Sequence, residues 1–258
     1  MKVSLDARHD AERAHHDAFY RTAVAEGFFE SEGFRRLIDW NLAAFRRAVP
    51  LAPGMRVLSI GSGLGHYEVA MAGEVAQVIG IDISATAVEA ARERARARGV
   101  SNVEFRQAAS SDLVFTAGFF DLVYSVGVFH HLPRAERALT LAQAHHWLTP
   151  RGWLYLRDPN ARGILRRTLG PLFRRFSSVH TPDEVALDPG TMLEETREAG
   201  FVEARIDYID LVGGPLPWLV RARSPAFWRL VFAVDRAWIE QPRLAHWSSQ
   251  FALVARRP

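Results

Sequence analysis

The 258-residue chain is 48% hydrophobic, enough to bury a full core as one domain, and its 32 basic against 29 acidic residues leave a net charge of only +3. So small an excess does not point to nucleic acid, and every basic residue except Lys2 is an arginine. The absence of cysteine excludes disulfides, thiolate zinc sites and cysteine nucleophiles; no signal-peptide core precedes residue 20 and no run of 18 apolar residues occurs, so a cytoplasmic protein is expected.

Residues 1–50 read as an amphipathic helical cap carrying Phe19, Tyr20, Phe28, Phe29, Phe34, Trp40 and Phe45. From residue 51 short strands and helices alternate, the pattern of a parallel sheet covered on both faces. Strands are expected at 55–60, 77–81, 103–106, 120–126 and 152–157, and helices near 66–73, 84–98 and 134–148.

The most informative stretch is VLSIGSGLGHYEVA at 57–70. Apolar residues through Ile60 form a buried strand, and Gly61, Gly63 and Gly65 turn the backbone into a helix, leaving amide groups free to face a ligand. Asp82 ends the second strand, 19 residues after Gly63, where a doubly wound fold places its acceptor for ribose hydroxyls. A dinucleotide fingerprint requires glycine where this chain has His66, so a nicotinamide oxidoreductase is disfavoured. Ser84 is a plausible cap for helix 84–98, whose Arg92, Arg94, Arg96 and Arg98 read as a solvated face paired with Glu89 and Glu93. The regular alternation lapses over 159–190 and again over 211–247.

Strand, G-x-G-x-G loop, helix and acid together resemble motif I of the class I, Rossmann-like methyltransferases that use S-adenosylmethionine. FDLVYSVGVFHHLP at 120–133 is similar to the fourth strand and following loop of the small-molecule members, HHWLTPRGWLYL at 145–156 to the turn into the fifth strand, and ETREAGFVEARI and SSQFALVARR to the last helix and closing hairpin. The resemblance covers roughly residues 50–160, with looser support at the ends. It implies an α/β fold with a doubly wound, seven-stranded, mostly parallel sheet, a closing antiparallel hairpin, an N-terminal helical cap (1–50), a cofactor-binding core (51–158) and substrate-lid insertions at 159–190 and 211–247.

The same resemblance implies that Gly61 and Gly63 allow close approach to the methionine part of S-adenosylmethionine while Ser62 and Gly65 complete the cofactor-binding loop, that Asp82 accepts the ribose hydroxyls and that Ile83 stacks on adenine, with Ser125 and Val126 also among the cofactor-binding residues; S-adenosylhomocysteine would be the product. The chain departs from the family at Ala109, where relatives often carry an aspartate for the adenine amino group. Ser110, Ser111 or a backbone carbonyl would take over, with Asp112 more distant. Tyr20 from the cap and His66 from the loop either sit over the cofactor or merely pack.

His130 and His131 lie where cofactor and acceptor would meet. An imidazole can take a proton from a hydroxyl at neutral pH, and the resemblance favours His131; the alternative is structural packing. His15 with His16 and His145 with His146 are adjacent pairs, which point about 100° apart on a helix, so no metal site is expected. The loop SVGVFHHL lacks the Asp or Asn-Pro-Pro-Tyr quartet of base- and amide-methylating relatives, and the Asp158–Asn160 triplet follows the fifth strand, so an exocyclic amide nitrogen is disfavoured.

The first insertion carries Arg157, Arg162, Arg166, Arg167, Arg174 and Arg175 against Asp158; the second interleaves Trp218, Phe227, Trp228, Phe232, Trp238 and Trp247 with Arg221, Arg223, Arg229, Arg236 and Arg243. Arg157 and Trp218 are the candidate acceptor contacts. A small-molecule acceptor is expected, hydrophobic or partly anionic and methylated on a hydroxyl before a carbon or amine. A membrane surface or carrier protein could meet the Arg/Trp lid. The other readings are an RNA methyltransferase and a non-catalytic cofactor-binding partner subunit.

Overall fold

The computed structural model describes residues 5–168 and 185–258. Two helices, α1 (Leu5–Ala25) and α2 (Glu32–Ala48), precede the alternating β1 (Arg56–Ile60), α3 (His66–Met71), β2 (Gln77–Asp82), α4 (Ala85–Ala97), β3 (Val103–Gln107), β4 (Phe120–Val126), α5 (Arg134–Trp147) and β5 (Leu148–Pro159). The chain closes with α6 (Pro189–Glu198), β6 (Val202–Asp210), α7 (Pro225–Ile239), α8 (Pro242–Ala245) and β7 (Gln250–Arg256). No helix among the described residues is long and apolar enough to cross a membrane.

The seven strands form one sheet in the order β3-β2-β1-β4-β5-β7-β6. The first five are parallel, and β7 runs antiparallel between β5 and β6. Strands enclosed on both faces need apolar residues at every position. Thus Leu58 and Ile60 enter one core layer with Ile79, Val123 and Leu253, while their neighbour Val57 enters the other with Val78, Leu122 and Val254.

Most expected elements stand where the residues put them. The fifth strand is longer than 152–157: it starts at Leu148, which pairs with Phe120 before the register shifts near Leu122. The arginines of α4 also do more than solvate a face. Arg92 and Arg96 pair with Glu89 at 3.5 and 3.2 Å, but Arg94 pairs with Glu30 at 2.7 Å and donates to the Leu64 carbonyl at 2.9 Å, tying α4 to the glycine loop. Arg174 and Arg175, and the side chain of Ser111, lie outside the described residues.

Helix α1 lies over the loops at the C-terminal ends of β2 and β4, reaching Ser84 and His131, and α2 packs Ala44, Phe45 and Ala48 on one face of the sheet. Helix α2 is capped by Ser31, whose hydroxyl accepts from the Phe34 N–H, and turns Phe34, Leu37, Asn41 and Phe45 inward. Its Trp40 indole donates to the Ile209 carbonyl at 3.0 Å. Trp228 of α7 is fully buried beside Phe34 and Leu37, and Gly33 is required there, because a Cβ would come within 2.4 Å of the Trp228 ring. Asp235 of α7 accepts three backbone N–H bonds, from Leu211, Val212 and Gly213, which fixes the turn after β6.

Candidate functional site

The glycine loop after β1 is built from left-handed backbone: φ is +75° at Gly61, +50° at Gly63 and +72° at Gly65. Two of these positions also require a hydrogen side chain. A Cβ on Gly61 would lie 2.1 Å from a Val128 methyl, and one on Gly65 would lie 2.7 Å from the Phe105 ring. Gly65 therefore serves packing against β3 and α4, and it lines neither cavity of the site.

Asp82 locks this loop to β2. One carboxylate oxygen accepts the Gly63 N–H at 2.8 Å and the other the Ser84 N–H at 2.9 Å. The side chain is buried, and burial outweighs those bonds and raises its pKa. Ser84 in turn caps α4 and donates its hydroxyl to Asp17 of α1 at 2.5 Å, so the cap helix is fastened directly above the acid. At its other end Arg8 and His9 reach Glu136 of α5 at 2.7 and 3.4 Å, and Arg8 also donates to the His131 carbonyl.

Two cavities lie beneath α1. The smaller, about 130 Å³, is walled by Asp82, Ile83, Ala109, Ser110 and Leu132. The larger, about 430 Å³, runs from Gly61, Ser62 and Gly63 past His66, Tyr67 and Glu68 to Arg157, Leu165, Arg166 and Trp218. They share Tyr20, His16, Gly61, Val126, Gly127 and His131 as common walls. Residues 165–166 and 214–219 of the two insertions form part of the larger wall.

Tyr20 hangs from α1 with its hydroxyl beside Gly63, where a Cβ would lie 2.9 Å away. Burial, with Asp82 and Glu68 nearby, raises its pKa and keeps the phenol protonated. His66 is driven down to about 4 by burial and the Arg94 guanidinium, so at neutral pH it is uncharged. Ser62 Oγ is buried and has no hydrogen-bond partner among the described residues.

The two histidines after β4 differ. His130 is buried, with Nδ1 2.7 Å from Asp158 Oδ1 and its N–H donated to the same oxygen at 3.1 Å. The Asp-Pro-Asn triplet is the end of β5 and the bridge residue after it, and its polar side chains bind the protein itself: Asp158 holds His130, and Asn160 donates to the His246 and Ser248 carbonyls. His131 faces both cavities, next to His16 (ring centroids 5.1 Å apart), with Nδ1 3.8 Å from Glu12, which His16 approaches to 3.4 Å. The ligand atoms of Glu12, His16 and His131 all lie within 4.8 Å of one another. His15 and His16 do not converge; the grouping comes from Glu12 one turn earlier and His131 across the cleft.

Other expectations separate in the same way. Ile83, Ala109 and Ser110 line the smaller cavity, although Ser110 already meets Thr140 at 3.2 Å. Ser125 is fully buried and reaches neither cavity, because it points into the sheet's packed side, whereas Val126 lines both. Trp218 lines the larger cavity and stacks edge-on against Phe34 and Phe29. Arg157 also lines it, but its guanidinium is buried in an ion pair with Asp210 at 3.2 Å. Burial outweighs that arginine and pushes Asp210 up to about 6. Sequence reasoning missed Glu68, Asn41 and Tyr67, which form the polar floor of the larger cavity: Asn41 donates to the Tyr67 hydroxyl at 2.8 Å, and Glu68 accepts from Ser59 at 2.6 Å and Tyr124 at 2.5 Å.

A glycine loop after the first parallel strand, an acid at the tip of the second and a cleft over the strand ends define a doubly wound protein that binds a nucleotide-type cofactor. The chain belongs to the class I S-adenosylmethionine-dependent methyltransferases. The family model for a methyltransferase domain matches residues 57–152. Nocamycin O-methyltransferase of Saccharothrix syringae is 32% identical over 202 residues, covering 69% of this chain and 67% of that protein. Erythromycin 3''-O-methyltransferase of Saccharopolyspora erythraea is 29% identical over 171 residues, 62% of this chain and 54% of that one. The chain spans between 33% and 67% of the lengths of the first curated relatives it matches. In fold it is similar to Haemonchus contortus phosphoethanolamine N-methyltransferase 1, solved in complex with phosphoethanolamine and S-adenosylhomocysteine, with a TM-score of 0.68 at 15% identity over 99% of this chain and 50% of that one.

Proposed function

We propose that the protein methylates a hydroxyl group of a hydrophobic or partly anionic small molecule, with S-adenosylmethionine as donor. The observation that carries this reading is the junction of the two cavities at Tyr20, Gly61 and His131: the smaller joins the acid Asp82 to the apolar Ile83 and Ala109, and the larger leaves room for a second molecule.

The residues present fit the donor. Asp82 is fixed by two backbone bonds with carboxylate lone pairs still free for ribose hydroxyls. Ile83, Ala109 and Leu132 offer an apolar slot for a base, and the unpartnered Ser62 hydroxyl offers a polar contact at the loop. When bound, the donor supplies a methyl group already activated by its sulfonium charge, so little acid or base power is asked of the protein. Positioning is the main task, and holding two reactants at attack distance is worth roughly 7–11 kcal/mol.

Tyr20 and Gly61 confine the junction from opposite sides, while α1 shields it from water. His131, on both walls, takes the proton released by the acceptor hydroxyl. The aromatic wall of Phe19, Phe29, Phe34 and Trp218 favours a largely apolar acceptor. Two relatives named as O-methyltransferases support oxygen as the accepting atom.

The test is transfer of labelled methyl from S-adenosylmethionine to hydroxylated metabolite extracts, with mass spectrometry of the labelled product. Calorimetry with S-adenosylhomocysteine against NAD and NADP separates the cofactor classes; binding of NAD in preference would refute the reading.

A further inference from the structure

Glu68 is the one carboxylate lining the larger cavity, and no cation pairs with it among the described residues. It sits on α3, almost fully buried, and it lines the cavity beside Gly61, Ser62 and Gly63. One oxygen, Oε1, accepts from both Ser59 of β1 and Tyr124 of β4, which fixes the orientation of the carboxyl group. The other, Oε2, is buried and has no hydrogen-bond partner among the described residues. Its polar neighbours are the two hydroxyls and its own backbone N–H, and Glu68 makes no ion pair among the described residues. Leaving a carboxylate oxygen dry and unbonded costs more than a neutral group would, so such an atom in a cavity wall marks the place of a missing donor.

A cationic donor suits it best, because an ammonium brings both the hydrogen bond and the charge. We infer that Glu68 Oε2 receives the α-ammonium group of the donor's methionine part. The inference rests on the donor reading above. Within that reading the methionine part would lie along the glycine loop, and Glu68 is the acid that lines the larger cavity beside Gly61, Ser62 and Gly63. Ser59 and Tyr124, which bond Oε1, then act as positioning residues that aim the other oxygen. Burial raises the pKa of Glu68, and a bound cation would bring it back down.

The experiment compares two ligands by calorimetry. S-adenosylhomocysteine carries the amino-acid end, whereas 5'-methylthioadenosine has the same nucleoside and thioether without it. Glu68→Gln keeps an oxygen for Ser59 and Tyr124 but removes the charge. It is expected to weaken S-adenosylhomocysteine by about 10- to 100-fold and to leave 5'-methylthioadenosine within about threefold of the wild type. The ratio of the two dissociation constants is the readout, and a general loss of fold moves both ligands together. Equal weakening of both, or of neither, overturns the assignment. Tyr124→Phe serves as the second variant: it should reproduce the selective loss in weaker form, and weakening of 5'-methylthioadenosine alone would again refute it. If the wild-type protein bound neither ligand, the donor reading itself would fall, a result distinct from a failure at Glu68.

Discussion

Asp82→Asn separates the two tasks assigned to this acid. In the native loop both oxygens accept buried backbone N–H groups, from Gly63 at 2.8 Å and Ser84 at 2.9 Å. An amide keeps one acceptor and turns its NH2 toward the other N–H, so one buried donor loses its partner, at about 1–3 kcal/mol. The remaining bond loses its charge assistance, but removing a buried charge recovers part of its desolvation cost. The net loss of stability is therefore about 2 kcal/mol, or roughly 4–8 °C in melting temperature for a chain of this size. Donor affinity should fall further than stability does. Losing one charge-assisted bond to a ribose hydroxyl costs about 1.5–3 kcal/mol, a rise in the dissociation constant of roughly 10- to 150-fold. Thermal denaturation and calorimetry with S-adenosylhomocysteine on the same preparation give both numbers. A folded variant whose dissociation constant stays within a factor of about two (roughly 0.4 kcal/mol) would refute the ribose role and leave Asp82 as a loop staple only.

His131→Ala should lower kcat by about 100-fold or more while sparing affinity for S-adenosylhomocysteine; unchanged turnover across pH would remove the proton-acceptor role. His66, held near 4 in the fold against about 6.5 unfolded, binds its proton more readily when the chain is unfolded. Its contribution is complete above pH 6.5 and is lost as pH falls toward 4, up to about 3 kcal/mol. Urea unfolding at pH 7.5, 5.5 and 4.5 should therefore show a shallower acid decline in His66→Leu than in wild type, and parallel curves would contradict the burial argument. Gly61→Ala must place a methyl at φ +75° within 2.1 Å of Val128, so a loss of about 2–4 kcal/mol is expected in the same denaturant assay. A loss under about 1 kcal/mol would mean that Val128 moves aside without strain.

The sheet was legible because parallel strands enclosed on both faces leave continuous apolar runs, and the runs VLSI, QVIGI and FDLVYSV mark β1, β2 and β4 within a residue. The loop was legible for the same kind of reason: glycines at fixed spacing answer a local backbone demand. What stayed hidden depends on pairing across long stretches of chain. Arg157 reads as a basic residue free for a substrate, yet Asp210, 53 positions later, neutralises it within the core. Glu68 reads as an ordinary helix acid until β1 and β4 bring Ser59 and Tyr124 to it. Gly65 looks like a ligand contact because it shares a motif with Gly61 and Gly63, but its neighbours are Phe105 and Ala91, which only the packed sheet supplies.

The roof of the cleft is held on different terms from its floor. The floor is strand, glycine loop and the inner faces of α2 and α3, fixed by ladder hydrogen bonds and buried side chains. Helix α1 contributes Tyr20 and His16 to both cavities, yet Ala23 is the only apolar side chain among its described residues that is buried to core level. Beside the ring contacts of Phe19 and Tyr20 with Phe29, its attachment is polar: Arg8 and His9 to Glu136 near the start, Asp17 to Ser84 and Thr86 in the middle. Each such bond contributes about 0.5–1.5 kcal/mol net, less than the roughly 1.5–3 kcal/mol of burying a large apolar side chain. Displacing α1 therefore costs little compared with disturbing the glycine loop. An enclosed reaction site needs a wall that yields to admit both reactants and then closes against water. In this chain the wall with the weakest attachment is the one that carries Tyr20 over the junction of the two cavities, and Asp17 anchors it two residues from the acid that would grip the donor.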